Sequence, residues 1–262
     1  EEGDCFGMTR RETGAKIDYD TIARRYDTFR KGGGPYLPLL VALAQAHAAQ
    51  RVLEVGAGTG NNTVLFQKAY PEASLITCDL SWGMIERARE KQTPGAWVQA
   101  DAHFLPFAAE SVDFCFGCFM LHYISDLRAF FRGCARVLRR GCAAFVTASH
   151  EFIERHPMNC YFPSFAAVDK ARFPSLETVR DALHDAGFRN VSDRHIQTTP
   201  QPIDEAYLRR VENQFISTYA LLPEDEFKTG LARLREDIKS KGRLETGLVW
   251  ESVTIWGEKD TP

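Results

Sequence analysis

The stretch LEVGAGTGNN, residues 53–62 of a 262-residue chain, is the part of the sequence best suited to chemistry. Gly56, Gly58 and Gly60 sit where a short apolar run, RVLEVG, gives way to NNTVLFQKAY. Glycine at such a junction allows a tight turn and lets a ligand approach the backbone. The following helix would offer free N–H groups and a positive dipole end to an anion. The spacing is G-x-G-x-G, whereas a dinucleotide fingerprint needs its third glycine at position 61, which is Asn61. Dinucleotide binding is weakened accordingly. Two acids follow: Asp79, 19 residues after Gly60, and Asp101, 22 residues later. Each closes an expected strand, and the carboxyl ends of strands line the ligand crevice of an open α/β sheet. The first can accept both hydroxyls of a ribose, the second the amino group of an adenine. Either acid alone is more simply an N-cap or loop residue; behind the glycine turn, the pair points to a nucleoside-containing ligand.

Among the seven histidines, His122 (in FMLHYISD) and His150 (closing CAAFVTASH) fall at expected strand ends. They are the candidate catalytic bases, since imidazole titrates near neutral pH. A structural histidine bonded to a loop is the plainer reading of each. Cys115 and Cys118 form C-x-x-C, but a closed zinc site needs four ligands and no second pair exists. They read as buried thiols, and no metal site is expected. Arg128, Arg132 and Arg136 recur every four residues and read as a solvated helix face.

The elements that must position these residues follow from periodicity. Helices are expected at 16–30, with Ile22, Tyr26 and Phe29 on one side, and from the GGGP break at 32–35 to about Gln50. Strands are expected at 51–56, 74–80, 95–101, 111–119 and 142–150, with helices at 61–70, 81–92 and 126–140 between them. Ser81 is placed as an N-cap and Gly141 as a helix stop. Beyond 150 come an aromatic, proline-rich stretch, a helix from N-cap Ser175 to Gly187, a strand at 190–198, helices in two pieces over 203–241, and a last strand at 247–258. Alternating strands and helices imply right-handed βαβ units in a mostly parallel, doubly wound sheet of the α/β class.

VLEVGAGTG, CDLSWGMIERA, ADAHFLPFAAESVDF and LHYISDLRAFFRGCARVLRRG, spread over roughly 51–141, resemble the class I S-adenosylmethionine-dependent methyltransferases. The likeness is to the small-molecule branch similar to the ubiquinone and menaquinone methyltransferases. DALHDAGF and VTIWGE resemble that family's later elements. The resemblance implies a seven-stranded Rossmann-like sheet with a helical N-terminal segment and helical cap insertions. It implies S-adenosyl-L-methionine as cofactor, cradled by Glu54, Gly56, Gly58 and Gly60, its ribose on Asp79. Leu80 and Met84 would meet the adenine, Asp101 and Ala102 its edge, and Cys118 and Phe119 the methionine moiety; Tyr26 matches a tyrosine that closes over the cofactor. Where the family commonly has a proline and two glycines, this chain has RRGC at 139–142. By this reading residues 1–50 are the N-terminal helical segment and 51–150 the cofactor-binding core. Segments 151–174 and 199–246 form the cap, and 175–198 with 247–262 complete the sheet.

Composition supports a globular protein, with 44% apolar and 26% charged residues and a net charge of -3. So small a charge leaves no footprint for nucleic acid or an anionic membrane. The longest apolar stretch, 37–49, is too short for a membrane span. Seven cysteines, an odd number, read as reduced thiols in a cytoplasmic protein. The first 14 residues lack a signal-peptide core, and Met8 is a candidate start, which would make 1–7 foreign to the protein. The aromatics of the expected cap, such as Phe173, Tyr207 and Phe215, favour an apolar or aromatic small-molecule acceptor. A methyltransferase of macromolecules and a non-catalytic homologue that binds S-adenosylmethionine are the alternatives.

Overall fold

The computed structural model describes residues 18–30 and 32–259, apart from the side chains at 21, 22, 24, 25 and 29. Cys5, the candidate start at Met8, and the packing expected of Ile22 and Phe29 lie outside the described residues. Seven strands form one sheet: β1 Arg51–Val55, β2 Ser74–Asp79, β3 Ala96–Gln99, β4 Val112–Cys118, β5 Leu138–Thr147, β6 Arg189–Gln197 and β7 Glu251–Lys259. Their order is β3-β2-β1-β4-β5-β7-β6. The first five run parallel, and β7 is antiparallel to both β5 and β6. β1 and β4 lie side by side although their crossovers lead to opposite edges. Their carboxyl ends therefore part to form the crevice of a doubly wound sheet.

The buried strands explain the apolar runs: in β4 every residue but Asp113 and Cys118 is buried, because helices cover both faces. One face packs against α5 Leu127–Val137 and α8 Leu176–Asp185, burying Phe130, Phe131, Val179 and Leu183. The other packs against α2 Leu37–Ala46 and α3 Asn61–Ala69, where Phe66 stacks on Phe116 with centroids 4.8 Å apart. Ser81 caps α4 Trp82–Glu90 by accepting from Met84 N, and Ser175 caps α8 by accepting from Thr178 N. The cap has its own core of Phe162, Tyr219, Leu234 and others, on α7 Phe165–Arg172, α9 Glu205–Glu212, α10 Ser217–Leu221 and α11 Glu224–Lys241.

Three expectations need correction. Gly141 does not end α5: that helix stops at Val137 and the chain enters β5 at once. Val112 pairs with Leu138 but Phe114 pairs with Cys142, so 139–141 bulge out of the ladder. Gly141 serves that bulge, at φ 125°, where a Cβ would collide with the Asp113 carbonyl. The arginine ladder of α5 is not merely solvated, since Arg136 donates to the carbonyls of Leu105 and Phe107 and Arg128 pairs with Asp185. Finally, β5 ends at Thr147, so His150 is not on a strand; it opens α6, His150–Arg155, behind N-cap Ser149.

His156, between α6 and the cap, is 3% exposed and stacks on Phe165, with no hydrogen bond at Nε2. Burial pushes its pKa down to about 4. An unfolded histidine takes its proton near pH 6.5, roughly the reference value. Between those values the unfolded chain binds a proton the fold excludes, so stability falls as pH drops from about 6.5 towards 4. We expect this ring to remove about 2 kcal/mol between pH 7 and pH 5. Urea unfolding of His156→Phe should show a smaller loss over that interval than the parent; an equal loss would contradict the assignment.

Candidate active site

The turn after β1 is built on backbone conformation. Gly56, Gly58 and Gly60 have φ of 68°, 56° and 77°, all in the left-handed region that side chains disfavour. Gly56 N and Ala57 N both donate to Cys78 O, tying the turn to the end of β2. A Cβ on Gly56 would stand 2.9 Å from Met120 Cβ, whereas one on Gly58 would meet nothing within 4 Å. The turn is thus close-packed at its base and open at its apex, and Gly60 delivers the chain into α3 as its N-cap.

Asp79 completes this turn. Its Oδ2 accepts from Gly58 N at 2.7 Å and its Oδ1 from Ser81 N at 2.9 Å. Burial raises its pKa, opposed by the amides of Ser81, Gly58 and Leu80. Each carboxylate oxygen keeps a second acceptor direction, so a pair of ribose hydroxyls can still be held. Leu80 and Phe104 beside it are 66% and 80% exposed. Met84 is buried in α4, and half-buried Ala102 begins the 3-10 turn Ala102–Phe104. Asp101 caps that turn, its Oδ1 accepting from His103 N at 2.9 Å and meeting His103 Nδ1 at 2.7 Å. Burial alone would raise the pKa of Asp101; the His103 contacts hold it below the usual carboxylate range. Oδ2 makes no hydrogen bond among the described residues.

Behind the turn, Glu54 of β1 is buried and accepts from Thr63 Oγ1 at 2.5 Å. Burial, with Asp79 nearby, pushes it up to about 8, so it is largely protonated at neutral pH. Cys118 ends β4 beside it, its thiol pushed up first by burial and then by Glu54. Phe119 follows with φ 51°, a strained backbone for an aromatic residue, held by a bond from its N to Val146 O at 2.8 Å and an edge contact with Tyr36.

His122 lies in the next turn, Leu121–Tyr123, where its ring stacks on Phe173 of the cap, centroids 4.2 Å apart. Its Nδ1 is buried without a partner among the described residues. Burial pushes its pKa well below the ordinary value, and Arg172 and Arg30 push it further. Burial thus works against a base that titrates near neutrality at this position. His150 does not reach the crevice from a strand; its Nε2 meets Phe173 O at 2.8 Å, bracing the residue on which His122 stacks.

α1, Tyr19–Phe29, spans the mouth of the crevice. At one end Asp20 accepts from Ser81 Oγ at 2.6 Å and Gly83 N at 2.7 Å. At the other, Asp27 accepts from Thr59 Oγ1 at 2.5 Å and Asn61 Nδ2 at 2.9 Å and pairs with Lys91 Nζ at 3.0 Å. Tyr26 faces inward, its hydroxyl accepting from Arg30 Nη1 at 3.0 Å. Tyr19 bonds the Tyr123 hydroxyl. Sequence reading missed Asp20, Asp27, Tyr36, Phe104 and Arg30. Only Asp20 and Asp27, the two acids of the repeated Tyr-Asp in YDTIARRYD, carried a usable signal.

The strand order and the glycine turn after β1 define a doubly wound α/β protein whose crevice opens at the carboxyl ends of β1 and β4. Residues 52–141 match the methyltransferase domain family. The chain is 34% identical over 155 residues to a malonyl-[acyl-carrier protein] O-methyltransferase of Xylella fastidiosa, covering 56% of this chain and 51% of that protein. It is 30% identical over 127 residues to a demethylmenaquinone methyltransferase of Thermotoga maritima, covering 47% and 56%. The chain thus spans about half the length of the curated relatives it matches. A putative methyltransferase from an antibiotic biosynthesis pathway of Anabaena variabilis shares the fold, with a TM-score of 0.65 at 21% identity over 84% of this chain and 96% of that one. Residues 52–141 are thus similar to a methyltransferase domain, on a fold shared with solved methyltransferases.

The strap formed by α1 gives a direct expectation. Burial alone would raise the pKa of Asp27, but Thr59, Lys91 and Asn61 hold it below the ordinary value, so it is charged and loses several bonds when removed. Asp27→Ala should raise the rate of proteolytic nicking within 18–30 by roughly tenfold, as expected for about 1–3 kcal/mol of local destabilisation. Peptide mapping of a limited digest reads this out; unchanged nicking would show that Asp27 does not hold the strap.

Proposed function

We propose that the chain transfers a methyl group from S-adenosylmethionine to a small-molecule or carrier-linked acceptor seated beside the His122–Phe173 stack, where the crevice meets the cap. The observation that carries this reading is the open apex at Gly58 bonded to Asp79, with exposed Leu80 and Phe104 alongside. These fit a ribose with an apolar, planar base beside it. The matched relatives, one acting on a malonyl-carrier protein and one on a demethylmenaquinone, support small or carrier-borne acceptors. The aromatic rings of Phe173, Tyr19 and Tyr123 favour an acceptor with an apolar or aromatic body. No helix of the described residues is long and apolar enough to cross a membrane. The free cysteines suit a cytoplasmic setting.

The cofactor, when bound, supplies a methyl group already activated by a sulfonium. In this reading Gly56, Gly58 and Gly60 hold the methionine part, with Glu54, Cys118 and Phe119 beneath it. Asp79 holds the ribose hydroxyls. Leu80, Met84, Ala102 and the free oxygen of Asp101 meet the adenine. Tyr26, on the strap, closes over the top and excludes water. Positioning of this kind supplies on the order of 7–11 kcal/mol of a displacement barrier. His122 is too weakly basic to draw a proton from an ordinary acceptor. Its role is to bond the acceptor and align it, and His150 acts only by fixing Phe173.

Asp79→Ala should weaken S-adenosylhomocysteine binding at least about tenfold, because a charged two-point contact is lost. Unchanged affinity with an intact fold would remove the assignment. His122→Ala should lower kcat more than cofactor affinity. In the parent enzyme the kcat profile should show no inflection near pH 6.5, roughly where an unperturbed histidine titrates. An inflection there that His122→Ala abolishes would restore the ring as a general base.

A further inference from the structure

The wall of the crevice opposite the cofactor residues holds more positive charge than the chain neutralises. Arg30, just after α1, donates from Nε to Phe215 O at 2.6 Å and from Nη1 to the Tyr26 hydroxyl, both neutral acceptors. Arg210 of α9 lies 4.0 Å over the Phe215 ring. Neither has a carboxylate within ion-pair distance among the described residues. Arg172, the last residue of α7, shares Asp169 with Thr218 and bonds Ser217 Oγ at 3.2 Å. Its Nε is buried with no acceptor. Three guanidinium groups thus face one carboxylate. Arg172 also lies 5.7 Å from the ring of Phe173, the residue stacked on His122.

Burying cations without counter-charges is unfavourable, so such a cluster persists where a ligand completes it. On the proposed reading, the cofactor does not complete it. S-adenosylmethionine carries a sulfonium and an ammonium against one carboxylate and brings a further net positive charge. Asp79 lies at the glycine turn, bonded to the amides of Gly58 and Ser81, and makes no ion pair with these arginines among the described residues. The missing negative charge must arrive with the acceptor. Guanidinium is the group best shaped to receive a carboxylate through two parallel bonds.

The geometry points to an acceptor-carboxylate subsite formed by the Arg172 guanidinium and His122 Nδ1–H, with Arg30 and Arg210 setting the field around it. The inference rests on the proposed methyltransferase reading for the placement of the acceptor, but the subsite itself is defined by the arginines. Asp169 competes with the ligand for Arg172, which fixes the sign of a second test. Its Thr218 bond survives replacement by asparagine, whose carbonyl still accepts.

The experiment is calorimetric titration of the full chain, with and without saturating S-adenosylhomocysteine, using acetate, malonate, hexanoate and benzoate, their methyl esters, and phenyl phosphate. We expect at least one carboxylate to bind ten times more tightly than its ester. Arg172→Met should abolish that preference while S-adenosylhomocysteine affinity stays within twofold. Asp169→Asn should strengthen carboxylate binding, a gain that misfolding of the cap would not produce. Esters binding as well as acids, no carboxylate binding at all, or a preference that survives Arg172→Met would each overturn the subsite. Phenyl phosphate outcompeting benzoate would also overturn it, in favour of a phosphorylated acceptor. Failure of S-adenosylhomocysteine to bind the parent would count against the methyltransferase reading alone, since the acid-over-ester preference is also measured without it.

Discussion

The turn between β1 and α3 can close only with positive φ at three alternate residues, and the rest of the site depends on that constraint. Gly56 brings the backbone against Met120, at the base of the turn that carries His122. Gly58 turns its N–H to Asp79 and leaves its own outer side empty. Gly60 starts α3 with its N-terminus facing the crevice. A side chain at any of the three would cost backbone strain of about 1–2 kcal/mol, and at Gly56 and Gly60 a collision as well, with Met120 and Thr93. Because the turn is pinned to Cys78 O and Asp79, the ends of β1 and β2 are one rigid unit, and ligand contacts on them need no rearrangement.

Around that unit the charges are divided. The glycine-turn side holds carboxyl groups in burial: Asp79 bonded by amides and Glu54 pushed up towards its protonated form. The cap side holds Arg30, Arg172 and Arg210, with His122 kept neutral between them and the sheet. Aromatic rings fill the space, from Tyr26 through Tyr19 and Tyr123 to Phe173. α1 spans the mouth and is fixed at both ends by aspartates. A site so arranged aligns reactants and excludes water more than it moves protons, which suits a displacement whose leaving group is already activated.

The sheet, the glycine turn and the caps around it were legible because their causes are local. Apolar runs of five to seven residues, glycine at a forced turn, Ser81 and Ser175 at helix starts, and acids at strand ends all leave a mark within a few positions. The doubly wound, mostly parallel sheet followed from these. What was not legible depends on contacts distant in sequence. The exit of α5 straight into β5, with a bulge at 139–141, follows from the pairing of Leu138 with Val112. The displacement of His150 onto α6 follows from capping by Ser149 and support at Phe173. The low basicity of His122 comes first from its burial against the cap and then from Arg172 and Arg30, 50 residues after it and 92 before it in the numbering. The strap likewise depends on Asp20 and Asp27 meeting α4 and the glycine turn across more than 30 positions.

On the proposed function, the glycine turn and Asp79 hold S-adenosylmethionine and not a dinucleotide. Calorimetric titration of the chain with S-adenosylhomocysteine, and separately with NAD, tests it most directly. The account predicts one site for S-adenosylhomocysteine with a micromolar dissociation constant and no heat from NAD. Binding of NAD without S-adenosylhomocysteine would contradict it.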